Sequence, residues 1–252
     1  MEINKIYCED CLETMRRMPD EFVDLVVTSP PYDNLRKYKG SKRKSKTGYS
    51  FDFEPIAEEL ARVVKKNGVV VWVVGDEVQK GSESATSFCQ AMYFILQGFK
   101  LHDTMIYEKN SVTFPARRDG NRYTQIFEYM FVFTKGKLKA NLICDKKNKW
   151  AGVPSFDGKV RPAPEFSPRT NIWKFTTSFN DKTGHPAVFP EELARDHILS
   201  WSKKGALVYD PFMGSGTTAK AAVMNGRHYI GSEISKEYCK IAEKRLKEAG
   251  VL

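Results

Sequence analysis

Ala206-Leu207-Val208-Tyr209-Asp210-Pro211-Phe212-Met213-Gly214-Ser215-Gly216-Thr217-Thr218 is the stretch on which the fold turns. Ala206 to Tyr209 has the short apolar run of a buried strand, and Thr217 to Met224 reads as a helix that starts directly after the glycines. Strand, tight loop and helix in that order let backbone approach a nucleotide-like ligand, because Gly214 and Gly216 lack the Cβ that would stand in the way. Gly214-x-Gly216-x-x-Ala219 fits the dinucleotide fingerprint in its alanine form, and Glu233 lies 19 residues after Gly214, where a ribose-binding acid belongs. Only 36 residues follow Gly216, too few for the further strand–helix units of a nicotinamide-binding half. The remaining strands must therefore come from earlier in the chain, which puts the ligand loop in a permuted order. A phosphate-gripping P-loop fits worse, because the G-x-x-x-x-G-K-[ST] spacing is absent. A bare tight turn is the other reading of the two glycines, and the acid at 233 weighs against it.

Working outward, Val23 to Val27 is a β-branched run stopped by Thr28-Ser29-Pro30-Pro31, since prolines cannot donate to a ladder. Helical spacing from Pro55 to Lys66 is closed by Asn67-Gly68, and Val69 to Val74 reads as a fully buried strand. A helix is expected from Ser84 to Gln97 and strands over Thr104–Glu108 and Tyr129–Thr134. Further on come a helix over Pro190–Trp201, a strand over Tyr229–Glu233 and a last helix over Lys236–Glu248. This alternation predicts an α/β fold, a mostly parallel sheet with helices on both faces. At 252 residues the chain is expected to form one domain, 1–252, with an inserted lobe.

Ser29-Pro30-Pro31-Tyr32 should sit at the carboxyl end of its strand, the edge where open α/β sheets bind ligands. Its prolines fix φ and leave carbonyls as acceptors, flanked by a hydroxyl and an aromatic ring. Such a segment suits a planar group bearing an NH₂. The plain alternative is a proline-stopped strand with a packed tyrosine.

Forty Lys and Arg against thirty-one Asp and Glu leave a net charge of +9, and 41% hydrophobic content is ample for a packed core. Seven of those charges fall in eleven residues without an acid, Arg36, Lys37, Lys39, Lys42, Arg43, Lys44 and Lys46. A second basic region, Lys135 to Lys174, carries ten Lys and Arg interleaved with aromatics and prolines. Both suit a phosphate backbone with exposed bases; solvated loops are the plain reading of each. The longest apolar run, Val69 to Val74, has six residues, far from a membrane span, and the first residues lack a secretion signal's apolar core, so a soluble cytoplasmic protein is expected. Five cysteines, with Cys8 and Cys11 as a lone C-x-x-C, point to reduced thiols and no metal site.

Thr28-Ser29-Pro30-Pro31-Tyr32 early and Asp210 to Thr218 late resemble the amino-group DNA methyltransferases of the permuted β class, in which the catalytic motif precedes the S-adenosylmethionine loop. The likeness runs through Asp10, Phe53 to Asp76, Glu128 to Lys135, His185-Pro186-Ala187-Val188-Phe189-Pro190 and Tyr229 to Glu233. It implies a Rossmann-like class I methyltransferase fold and transfer of a methyl group from S-adenosylmethionine to the exocyclic amine of a flipped base in double-stranded DNA. By the same resemblance Asp210, Pro211, Phe212, Gly214, Ser215, Gly216 and Thr217 line the cofactor's methionine end, beside Thr28. Glu233 would hold the ribose, Asp10 the adenine, and His185, Pro186 and Phe189 would close the pocket. Ser29, Pro30, Pro31 and Tyr32 are the expected catalytic residues. A target-recognition region is expected over 136–180 and a DNA-binding loop over 36–48, with Trp150, Arg161, Arg169 and Trp173 as candidate base readers. A homodimer and a cognate restriction endonuclease are partners the resemblance allows.

Methylation at cytosine C5 needs an activated thiolate, which that family presents in Pro-Cys, and no cysteine here follows proline. Between N4-cytosine and N6-adenine the serine heading the tetrad favours cytosine, since in the family Asp or Asn is commoner there among adenine enzymes. Protein and RNA methyltransferases place x-Pro-Pro-Tyr after the glycine loop, the reverse of this order. A DNA binder that has lost the cofactor would not need Gly214, Gly216 and Glu233, and a NAD-dependent oxidoreductase would ignore DNA.

Overall fold

The computed structural model describes residues 1–31, 52–110, 122–153, 163–176 and 190–251. In chain order the elements are β1 (Lys5–Tyr7), α1 (Cys11–Arg16), β2 (Val23–Thr28), α2 (Phe53–Val63), β3 (Val64–Val74), β4 (Val78–Gln79), β5 (Ser82–Glu83), α3 (Thr86–Leu96), β6 (Lys100–Lys109) and β7 (Phe127–Thr134). They continue with β8 (Lys146–Lys147), β9 (Phe166–Ser167), β10 (Ile172–Phe175), α4 (Glu191–Trp201), β11 (Leu207–Asp210), α5 (Thr217–Met224), β12 (His228–Ser232) and α6 (Lys236–Glu248). Eight strands form one sheet in the order β1-β12-β11-β2-β3-β7-β6-β10. Within it only β7 runs antiparallel to its neighbours. The expected parallel α/β architecture is therefore present.

Alternation along each strand divides the core between two faces. Val26, Val70, Trp72, Phe131, Phe133 and Tyr209 pack on one side against Met15 of α1, Leu60 of α2 and Phe94 of α3. Val27, Val71, Val73, Met130, Val132 and Val208 pack on the other against Leu193 and Ile198 of α4, Ala219 and Ala222 of α5, and Leu246 of α6. Three helices thus cover each face, which explains why the central strands read as unbroken apolar runs.

From β11 the chain goes through α5 to β12 on one side, whereas from β2 it goes through α2 to β3 on the other. The sheet therefore reverses direction between β11 and β2, and at such a switch point the loops after the two strands part and leave a crevice.

One sequence expectation needs correction. Helix α2 ends at Val63 and passes straight into β3, so Asn67-Gly68 does not close the helix. It forms an irregularity in the strand, where Val23 pairs with Val64 but Leu25 with Val69. Lys135 explains the early stop: its Nζ donates to the carbonyls of Ala61 at 2.7 Å and Val64 at 3.0 Å, satisfying acceptors that further helix would have used. Within the stretch 136–180, Ile172–Phe175 forms β10, paired in parallel with β6.

Candidate active site

β2 and β11 end side by side, Tyr209 pairing with Val26. Thr28, at the tip of β2, is 1% exposed, and its hydroxyl donates to Asp210 Oδ1 at 2.6 Å across 182 residues of sequence. The same oxygen accepts from the Phe212 amide at 3.0 Å, which folds the chain sharply after β11. Burial pushes the Asp210 carboxyl above its ordinary value, opposed by hydrogen bonds from the Thr28 and Thr218 hydroxyls and the Phe212 amide. The two motifs thus meet at the switch point, as the walls of one crevice. Ser29 and Pro31, next along this wall, are half-buried and Pro30 is buried.

The glycine loop is shaped from both sides. Gly214 and Gly216 adopt φ of +53° and +83°. A Cβ at Gly216 would lie 3.0 Å from the Ala242 Cβ on α6, so both backbone angle and space demand glycine there. Arg245, also on α6, donates to the Ser215 carbonyl at 2.8 Å, the Ser215 hydroxyl at 2.7 Å and the Thr217 hydroxyl at 3.2 Å. This clamp was not apparent in the sequence, where Arg245 is one cation among several on an amphipathic helix.

Glu233 follows β12 and faces the loop. Its Oε2 accepts from the Gly214 amide at 2.9 Å and its Oε1 from the Ser235 amide at 2.8 Å. Burial raises its carboxyl above the usual 4.5, with the Ser235 and Gly214 amides acting against the rise. The Glu233 amide in turn donates to the Tyr7 carbonyl at 3.0 Å, tying β12 to the end of β1. Asp10 lies just beyond β1 and caps α1, accepting from the Leu12 amide at 2.9 Å. Asp10, Glu233 and Asp210 consequently stand at the carboxyl ends of three adjacent strands, with Ser29 after the fourth.

This set fits the expected cofactor. Carboxylates at successive strand ends offer acceptors for ribose hydroxyls and an amino group, and the side-chain-free turn at Gly214 and Gly216 leaves backbone as the cleft floor. Among the described residues no group of three or more His, Cys, Asp and Glu is arranged to hold a metal ion.

Several expected site residues lie outside the described residues: Tyr32, the cations Arg36, Lys37, Lys39, Lys42, Arg43, Lys44 and Lys46, Arg161, and His185, Pro186 and Phe189. Of the candidate base readers that are described, Trp150 is 70% exposed. Trp173 is instead 6% exposed, its ring 4.7 Å from that of the buried His197. Arg169 is engaged by Asp145 at 2.5 Å and by the buried Asp196 at 2.6 Å. Both placements run against base reading: β10 needs an apolar side chain facing α4, and Arg169 neutralises a carboxylate buried in that helix.

A model of the DNA methylase family, that of the N6/N4 methyltransferases, matches residues 23–244. The orphan methyltransferase M.BamHII of Bacillus amyloliquefaciens is 55% identical over 251 residues, 91% of each chain. Among solved structures, the cytosine-N4-specific PvuII DNA methyltransferase is similar with a TM-score of 0.71 at 21% identity, over 97% of this chain and 90% of that one. The M1.HpyAVI complex with S-adenosylmethionine gives a TM-score of 0.65 at 25% identity, over 96% and 99%. With its early proline tetrad joined to its late glycine loop through Thr28 and Asp210, the chain belongs to the DNA methylase family, whose members are S-adenosylmethionine-dependent amino-methyltransferases.

Proposed function

We propose that this DNA methyltransferase acts on the N4 amine of cytosine, with Ser29 and Pro30 as the groups that hold that amine. The observation that carries the reading is the 2.6 Å bond between Thr28 and Asp210, since it fixes the residue before Ser29 against the first residue of the cofactor loop. S-adenosylmethionine supplies a methyl group made electrophilic by its sulfonium. What remains for the protein is chiefly to place an amine nitrogen in line with that methyl.

An exocyclic amine is a poor nucleophile because its lone pair is conjugated with the ring. The Ser29 hydroxyl and the Pro30 carbonyl accept its two N–H bonds and favour the pyramidal, attacking form. Serine is too weak a base to remove the proton first, so the proton leaves to water after transfer. Tyr32 stacks on the base, which must leave the duplex to enter the crevice at a cost of a few kcal/mol. Glu233 holds the ribose hydroxyls of the cofactor and Asp10 lies toward its adenine. Pro211, Ser215 and Thr217 shape the loop around its methionine end.

Cations 36–46 grip the DNA backbone around the extruded nucleotide, and the region 136–180, with Trp150 at its surface, contributes to recognition of the site. If two copies pair, the exposed stripe Phe88, Met92, Ile95 and Leu96 on α3 is the apolar surface on which they would meet. Coexpression with a nuclease of the same specificity would reveal a cognate endonuclease through protection. Nucleoside mass spectrometry of DNA methylated by the purified enzyme tests the target base. N4-methylcytosine is the expected product, and N6-methyladenine alone would move the assignment to adenine.

A further inference from the structure

Beyond the proline pair, along the same edge of the sheet, a charged pair occupies positions where the strand pattern calls for apolar side chains. Lys109 ends β6 and Glu128 is the second residue of β7; their Nζ and Oε1 are 2.5 Å apart, with side chains only 17% and 12% exposed. The β6–β7 ladder pairs Tyr107 with Glu128 and Met105 with Met130, so Lys109 and Glu128 share the sheet face of those residues. Val27 and Val73 belong to that same face. Ser29 follows β2 directly, two residues after Val27, and Gly75 follows β3, two residues after Val73. A Cβ built on Gly75 would touch Glu128 Cγ at 3.5 Å, which places the glutamate stem directly over Gly75.

Register gives the distance to the tetrad. Thr28 lies opposite Trp72, and Val74 opposite Tyr129. β3 lies between β2 and β7, so the strand that leads into the tetrad and the strand that carries Glu128 are two places apart in the sheet. Two strand spacings are roughly 10 Å of backbone. A planar base held at Ser29 and Pro30 extends into that space.

Stability does not account for the pair, because two buried opposite charges can be replaced by apolar side chains of similar size at little or no cost. We propose that Lys109 is a specificity-determining residue of the target pocket and donates to the ring carbonyl O2 of the flipped cytosine, while Glu128 is the positioning residue that holds the ammonium over Gly75. An ammonium has three N–H donors, so pairing with Glu128 does not exhaust it. Cytosine presents a carbonyl oxygen on the edge that carries its amine; adenine presents C2–H in the corresponding place. A donor there therefore favours cytosine. This inference rests on the reading of Ser29 and Pro30 as the amine's acceptors.

Single-turnover transfer to unmethylated plasmid DNA separates the two assignments, compared among wild type, Ser29→Ala, Lys109→Met, Lys109→Arg and the double variant Lys109→Met/Glu128→Leu. Lys109→Met is expected to slow transfer to cytosine about 100-fold, the effect of removing one aimed donor from a reaction site, with S-adenosylmethionine affinity unchanged. Lys109→Arg, which keeps a charged donor, recovers part of the rate. The double variant restores an uncharged, filled core and should melt at or above the wild-type temperature yet remain slow. A wild-type rate in that double variant overturns the inference and leaves the Ser29 assignment standing. A wild-type rate in Ser29→Ala overturns that assignment and, with it, this one.

Discussion

The two halves of the sheet's carboxyl edge are built differently. On the side of β11, β12 and β1, the acids Asp210, Glu233 and Asp10 already accept backbone amides from Phe212, Gly214, Ser235 and Leu12. Each carboxylate there helps to hold its own loop, so the side proposed to take the cofactor is held by its own hydrogen bonds. On the side of β2, β3, β7 and β6, the described polar groups include Ser29, the buried Asp76, which accepts from the Ser87 amide at 2.9 Å, and the Lys109–Glu128 ion pair. One cofactor of fixed shape suits the first construction, whereas a base that must arrive from a duplex suits the second. Rigid preorganisation lowers the ordering cost of binding.

The sharpest test of this division is Ser29→Ala. Transfer in a single turnover should fall by about 100- to 1,000-fold, as when one donor or acceptor is lost from a reaction centre, while calorimetric affinity for S-adenosylmethionine holds. A parallel loss of cofactor affinity would mean that the halves are not separate.

Glu233→Gln probes the other half. Loss of a charged acceptor for the ribose is expected to weaken cofactor binding about 10- to 100-fold, with DNA affinity retained. Acid should do the same to the wild type. Because burial raises the Glu233 carboxyl above 4.5, the folded protein keeps a proton that the unfolded chain has lost, so this group's contribution to stability falls as pH rises from 4.5 through the raised value. Cofactor hydroxyls need the ionised form, and affinity should therefore decline as pH drops through that same raised value, above where an ordinary glutamate titrates. Glu233→Gln should remove the inflection.

The two tryptophans of the insert should part company. Trp173→Ala is expected to cost about 3–5 kcal/mol of stability by opening a cavity against α4, read as a lower melting temperature. Trp150→Ala should leave melting unchanged and weaken DNA binding about tenfold if its exposed ring stacks on a base. The smallest effect concerns salt. Changing Lys42, Arg43 and Lys44 to Gln should make the log–log slope of DNA affinity against salt shallower by about 0.9 for each phosphate contact removed.

A stability profile adds a check on the scaffold under both halves. His197 is fully buried, accepts from Trp201 Nε1 at 3.0 Å, and is pushed by burial down to about 3. The unfolded chain binds a proton at this residue near pH 6.5 and the native one does not. Its contribution to stability is thus present above 6.5 and lost as pH falls toward 3.

What could be read beforehand follows the physics of each segment. Helices α5 and α6 have the bounds expected from their patterns, Thr217–Met224 and Lys236–Glu248, because a glycine turn and a serine cap mark where each begins. The join between α2 and β3 was misplaced because Asn67-Gly68 is a local turn signal, while the true stop comes from Lys135, some seventy residues away. β1 and α1 went unseen: three residues are too few for a period, and Lys5–Tyr7 becomes a strand only by pairing with β12. The meeting of the tetrad and the glycine loop was legible, since both had to lie at carboxyl ends of parallel strands. The burial of Trp173 was not, because basic and aromatic composition looks alike in a DNA-facing loop and in a strand that docks on α4.

The bond from Thr28 to Asp210 also bears on synthesis. A ribosome completes the strand that leads into the proposed base-holding residues long before the loop proposed to take the methyl donor, and Arg245, which braces that loop, emerges later still. On the proposed reading a nascent chain owns Ser29 and Pro30 while it still lacks the cofactor loop. On that reading, competence waits for the late loop to meet the early strand through Thr28 and Asp210.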